Sequence, residues 1–235
     1  MEAFSRRHLP HYDVSHATYF VTACLAGSIP STGVLAPKKP VGATLRPGDA
    51  GRQRWCDAED FSRTETWLDE RTPVRWLADR RLASIVRCEL LRAARESIDL
   101  HAFVIMPSHV HLVFTPRREF TDLLCRRGER LPPRSIVMRA IKGRSAVACN
   151  RLLRRAGAFW QSESYDRVVR DETELEDVIA YVEHNPVKAA LCPRPADWQF
   201  SSAHVGQASA CQNVGQASAC QTMNDRLKPV LHDMP

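Results

Sequence analysis

Apolar positions along the chain fall into short runs of period two and longer stripes of helical period, and their order predicts a mixed arrangement of strands and helices. Thr18–Leu25 is β-branched and aromatic, a first strand. Leu82, Ile85, Val86, Leu90 and Leu91 make an apolar stripe with arginines on the opposite side, which predicts a helix over residues 78–97. His101–Thr115 reads as two apolar runs broken by Pro107-Ser108, hence two strands joined by a tight connection. Ser135–Arg155 is helical in period and strongly basic, and Glu163–Arg170 suits a further strand. Asp171-Glu172-Thr173-Glu174 has the acids of a helix start. That helix turns Leu175, Val178, Ile179 and Val182 inward and is expected to end near Asn185, because Pro186 disfavours continuation. Asp197–Ser202 is an aromatic closing segment, while residues 67–76 support no firm assignment.

Two stretches break the pattern. Residues 27–54 turn to Gly, Pro, Ser, Lys and Arg without a sustained period, as an inserted, mobile loop would. Val205–Gln212 recurs without change as Val214–Gln221. Two small, polar copies cannot build a core, so residues 204–235 read as a disordered tail behind one domain over residues 1–203. The Gln-Ala-Ser-Ala-Cys within each copy can be encoded as CAG-GCN-(Ser)-GCC-TGT. In that DNA, CAGGC pairs with GCCTG across a short loop, so each copy can be a translated palindrome.

Composition adds direction. The 235 residues carry a net charge of +6 and a pI near 9.0. Arginine supplies most of that charge, and its fork suits phosphate, which points toward nucleic acid. No apolar run is long enough to span a bilayer, and the start of the chain lacks the apolar stretch of a secretory signal. The eight cysteines include no Cys-x-x-Cys pair, so neither a zinc knuckle nor a disulfide framework is indicated, and a reducing cytoplasm fits best.

The chemistry concentrates in two places. His109 and His111 are two apart on a predicted strand, so both imidazoles leave the same face while Val110 points into a core. A rigid pair of this kind starts a divalent metal site, although it needs further ligands. Tyr181 and Asn185 are one helical turn apart and share a face. A core tyrosine and a helix-capping asparagine are one reading of that pair. The other is a phenol that attacks a phosphodiester, beside an amide oxygen that joins the two histidines around magnesium or manganese.

Five segments, in order, carry a resemblance: Arg6-Arg-His-Leu-Pro10 with Tyr19-Phe-Val-Thr22; Met106–His111; Trp160-Gln161 with Ser164–Asp171; Tyr181–Lys188; and Asp197–Ser202. Together the chain resembles the REP-associated tyrosine transposases, the single-tyrosine branch of the HUH nucleases. The resemblance implies an α+β fold, a ferredoxin- or RRM-like antiparallel sheet with helices packed on one side. It implies His109, His111 and Asn185 as ligands of one Mg2+ or Mn2+ ion, and Tyr181 as the nucleophile. It also implies single-stranded hairpin DNA of REP type as substrate, cut and rejoined through a 5′-phosphotyrosine. Arg6, Arg7 and His8, with Arg139, Lys142, Arg144, Arg151, Arg167, Arg170 and Lys188, are then the expected DNA contacts. The expected setting is the cytoplasm, in association with the nucleoid, as a monomer or homodimer with no membrane partner. Tyr165 is the rival nucleophile, on a strand without a ligand at turn spacing. Rival functions are a catalytically silent DNA-binding protein on the same fold, and a nuclease using activated water. The latter usually wants carboxylate ligands, and none accompanies the His pair in sequence.

Overall fold

A computed structural model describes residues 2–6, 10–14, 16–30 and 58–204. Two short strands, β1 (Glu2–Arg6) and β2 (Pro10–Val14), pair with each other. The main sheet holds β3 (Tyr19–Cys24), β4 (Ile98–Ile105), β5 (His109–Pro116) and β6 (Tyr165–Val168) in the order β4-β5-β3-β6. Every pairing in it is antiparallel. The helices are α1 (Ala58–Glu70), α2 (Arg80–Glu96), α3 (Arg118–Arg126), α4 (Pro133–Leu152) and α5 (Glu172–Lys188). The run β3-α2-β4-β5-α4-β6 with this strand order is the ferredoxin- and RRM-like arrangement, so the fold class is the α+β one expected.

Strand alternation divides the core in two. On one face Tyr19, Val21 and Ala23 of β3 and Val110, Leu112 and Phe114 of β5 meet α2 and α4. The facing residues Leu82, Ile85, Val86 and Leu90 are the stripe read from the sequence, joined by Val137, Met138 and Ile141 of α4. On the other face Phe20, Ala102, Val104, Met106 and Val113 are covered by Val178 and Val182 of α5, with Phe61 of α1 packed against them. The helices therefore cover both faces of the sheet rather than one. The reason is in the strands: these two-sided apolar runs would leave a hydrophobic face in water if α5 did not close it.

Local signals set the ends of these elements. Asp79 caps α2 by accepting from the Arg81 amide at 2.9 Å, and Asp171 caps α5 by accepting from the Glu174 amide at 2.8 Å. Helix α5 runs through Pro186 to Lys188 instead of stopping at Asn185. Proline removes one amide donor, but the Asn185 carbonyl still accepts from Ala189 at 3.0 Å and the Pro186 carbonyl from Leu191 at 2.8 Å. The final turn therefore survives. The closing segment docks on the edge of β4, where Ile105 and Phe200 bond at 2.8 Å and the Trp198 indole donates to the Ile105 carbonyl at 3.0 Å.

Several expectations meet the limits of the described residues. The proposed loop is a turn to residue 30, with Gly27 at φ +79, and residues 31–57 lie outside them, as do Arg7, His8 and the repeat tail from residue 205. Of the described cysteines, Cys24, Cys125, Cys149 and Cys192 are free and Cys88 is disulfide-bonded, a bond that the cysteine spacing did not indicate. Among the described residues no helix is long and apolar enough to cross a membrane.

Candidate active site

Strand β5 presents His109 and His111 side by side, both 0% exposed. Their Nε2 atoms are 3.1 Å apart, and their rings meet edge-on at a centroid distance of 4.7 Å. The far nitrogen of each ring is anchored. His111 Nδ1 lies 2.9 Å from Thr22 Oγ1 on β3, the residue paired with it across the sheet. His109 Nδ1 lies 2.9 Å from Ser108 Oγ, which donates its own proton to the Leu68 carbonyl at 2.9 Å. A hydroxyl has one proton. With it spent on Leu68, Ser108 accepts from His109 Nδ1–H, which leaves His109 Nε2 as a lone-pair acceptor within hydrogen-bond reach of His111 Nε2. Burial, and then the neighbouring His111, push the His109 pKa down and keep the ring neutral.

Helix α1 delivers a carboxylate to the same point. Glu65 is 1% exposed, with Oε1 3.3 Å from His111 Nε2 and 3.9 Å from His109 Nε2. Its other oxygen, Oε2, accepts from the Tyr181 hydroxyl and, at 3.1 Å, from Asn185 Nδ2. Burial by itself would raise the Glu65 carboxyl; the His111 and His109 rings and the Tyr181 hydroxyl outweigh it and hold it well below the usual carboxylate range. Burial, and then the charge of Glu65, push the Tyr181 phenol above its ordinary value. Its ring meets His111 edge-on at 5.8 Å and Phe20 at 6.0 Å, with Lys188 Nζ 5.7 Å from the ring centre.

Tyr181 and Asn185 thus share the face of α5 that looks onto the His pair, as their spacing predicts. Tyr165 pairs with Thr22, which pairs with His111, so it shares the His face two strands away, about 10 Å at the backbone. The carboxylate reading needs correction: Glu65 does accompany the His pair, supplied from a helix that sequence pattern left unassigned. One signal was available. Phe61, Glu65 and Leu68 fall at helical spacing, so the acid lies on an otherwise inward stripe.

Oxygen and nitrogen acceptors converge here with too few protons to satisfy them. Glu65 Oε1 and Asn185 Oδ1 are buried without a hydrogen-bond partner, beside the His109 lone pair. Glu65, His109 and His111 offer ligand atoms within 4.8 Å of one another. This donor set fits a divalent cation.

The expected DNA contacts divide. Lys188 is exposed beside the site, and Arg170 is exposed at the start of α5. Arg167 and Arg170 both pair with Glu174, at 2.5 and 2.9 Å. Arg139, Arg144 and Arg151 are exposed on α4, which packs on the face of the sheet opposite the histidines. Lys142 Nζ is instead tied to the Ser162 carbonyl at 3.1 Å, and burial lowers its pKa to about 8. Arg6 lies on β1.

Known proteins share this architecture. No protein-family model matches the chain. A REP-associated tyrosine transposase of Escherichia coli K12 is 24% identical over 121 residues, covering 51% of this chain and 64% of that protein. A Haemophilus influenzae protein named for the same group is 33% identical over 55 residues, 23% of this chain and 31% of its own length. The chain resembles the REP-associated tyrosine transposases. A solved structure of such a transposase bound to a REP hairpin aligns over 90% of this chain and 91% of its own, with a TM-score of 0.52 and 18% identity. It therefore shares the fold of a REP-associated tyrosine transposase, while the chain spans less than two thirds of its curated relatives.

Proposed function

We propose that this protein is a REP-associated tyrosine transposase: a metal-dependent endonuclease and strand transferase acting on single-stranded hairpin DNA of REP type. The observation that carries the reading is the meeting of the Tyr181 hydroxyl with a buried cluster of two imidazoles, a carboxylate and an amide. Tyr181 Oη attacks a phosphodiester phosphorus, the bond to the 3′ oxygen breaks, and the products are a 5′-phosphotyrosine and a free 3′-hydroxyl. Attack by that hydroxyl or another reverses the step, so no external energy source is needed.

His109, His111 and the Asn185 amide oxygen would hold the ion, Mg2+ or Mn2+, which supplies polarisation of the scissile phosphate and offsets its developing charge. Ser108 and Thr22 fix the two imidazoles with Nε2 inward, and α5 holds the phenol against them. Lys188 stands one exposed turn beyond Asn185, where a cation offsets phosphate charge. We assign residues 1–203 to one catalytic domain, since every residue of the site lies within it. The setting that follows is the cytoplasm, near the chromosome, as a monomer or homodimer.

The test is incubation with labelled single-stranded hairpin DNA and Mg2+ or Mn2+, followed by denaturing electrophoresis. A metal-dependent covalent adduct is expected from the wild type and none from Tyr181→Phe. An adduct that persists in Tyr181→Phe transfers the role to Tyr165. The enclosure of the site, with His109, His111, Glu65 and Asn185 all at or below 1% exposure, favours a second reading as a catalytically silent DNA-binding protein. Retarded DNA in a native gel without any adduct identifies that case.

A further inference from the structure

Helix α1 stands outside the run of elements that builds the sheet, yet it places a fully buried carboxylate among the proposed ion ligands. A carboxylate that served only to brace Tyr181 and Asn185 would need Oε2 alone, and its other oxygen could point away from the rings. Glu65 Oε1 does not. It faces both Nε2 atoms, at 3.3 and 3.9 Å, and has no hydrogen-bond partner. The Asn185 Oδ1 atom is orphaned in the same way. Charge points in the same direction. Two neutral imidazoles and an amide bring no negative charge, so a divalent ion among them would be a buried, uncompensated dication. Glu65 is the one acid whose oxygen reaches both rings among the described residues.

We propose that Glu65 is itself an ion ligand through Oε1 and, through Oε2, the residue that positions the Tyr181 hydroxyl beside the ion. This rests on the ion-binding reading above and adds an acidic fourth ligand to it. The set becomes His109 Nε2, His111 Nε2, Glu65 Oε1 and Asn185 Oδ1, two nitrogens and two oxygens, which leaves positions of a six-coordinate ion for phosphate and water. A single carboxylate then joins metal occupancy to nucleophile placement, since moving Glu65 disturbs both.

Binding of Mn2+ to the full chain without DNA, followed by electron paramagnetic resonance, tests the ligand role directly. Glu65→Gln keeps the shape and removes the charge; it is expected to weaken Mn2+ binding by about tenfold or more. Glu65→Asp, which keeps a carboxylate, is expected to recover part of that loss. Far-ultraviolet circular dichroism of each variant establishes that it is folded. Wild-type affinity in both variants, alongside lost binding in His111→Ala, would overturn the ligand role and leave the ion site standing. Failure of the wild type to bind Mn2+ would instead remove the reading beneath it. For the positioning role, Glu65→Gln at saturating Mn2+ is expected to form the phosphotyrosine adduct at least tenfold more slowly while DNA affinity is unchanged. An unchanged adduct rate would overturn that role.

Discussion

Asp69, one turn beyond Glu65 on α1, shows how charge near the site bears on stability. Its Oδ1 is buried without a partner, and burial, followed by the charge of Glu65, raises its pKa from 3.8 to about 6. The folded state therefore holds this proton more tightly than the unfolded chain does. Between pH 3.8 and about 6 the unfolded form releases the proton first, so stability falls as pH rises through that window and stays reduced above it. Asp69→Asn removes the penalty. The side chain is partly exposed, so after screening the gain is about 1–2 kcal/mol at pH 7, a few degrees in melting temperature, and only about 0.5 kcal/mol at pH 4. Thermal melts of the two proteins at both pH values check this. A shift of the same size at both would show that ionisation of Asp69 is not the cause.

At the scale of elements, how much the sequence reveals depends on how local the signal is. Strands β3 to β6 and helices α2, α4 and α5 follow from periodicity and capping residues, because each carries an apolar face long enough to count. The His pair and the Tyr181–Asn185 pair were legible for the same reason: strand alternation and the helical turn fix which side chains share a face. Glu65 was not, because its role depends on α1 folding back across the sheet, a contact that no periodicity encodes. Arg134 makes a related point. It stands at the start of the basic helix α4, yet it is 5% exposed and bonds Asp13 at 2.9 Å and Asp166 at 3.0 Å. Those acids come from β2 and from β6, distant in sequence, and only the fold brings them to the arginine.

For the molecule as a whole, the proposed function ties charge to DNA in two ways. The repeated Gln-Ala-Ser-Ala-Cys lies outside the described residues, but its coding DNA is open to reading. If these copies arose from captured hairpins of the substrate class, their codons pair as CAGGC with GCCTG; codons that do not pair end the idea. The second concerns the sheet, which separates α4 from the histidines. Arg139 and Arg151 are exposed on α4, and neither touches the cluster around Tyr181. Under the proposed function, their contribution to a hairpin complex is affinity through phosphate contact, with no part in the chemical step. Arg139→Ala with Arg151→Ala is expected to weaken hairpin binding uniformly across sequences. It should also reduce the slope of log affinity against log salt by about 2, since each lost phosphate contact removes nearly one unit. At saturating DNA the rate of adduct formation should stay at the wild-type value, because the sheet isolates the site from the change. Binding titrations over a range of salt, with single-turnover adduct assays beside them, separate the two quantities. An unchanged slope would place the DNA wholly on the histidine face, with Lys188 and Arg170 as its basic contacts. A fall in adduct rate at saturation would mean that α4 reaches the reacting strand around the edge of the sheet.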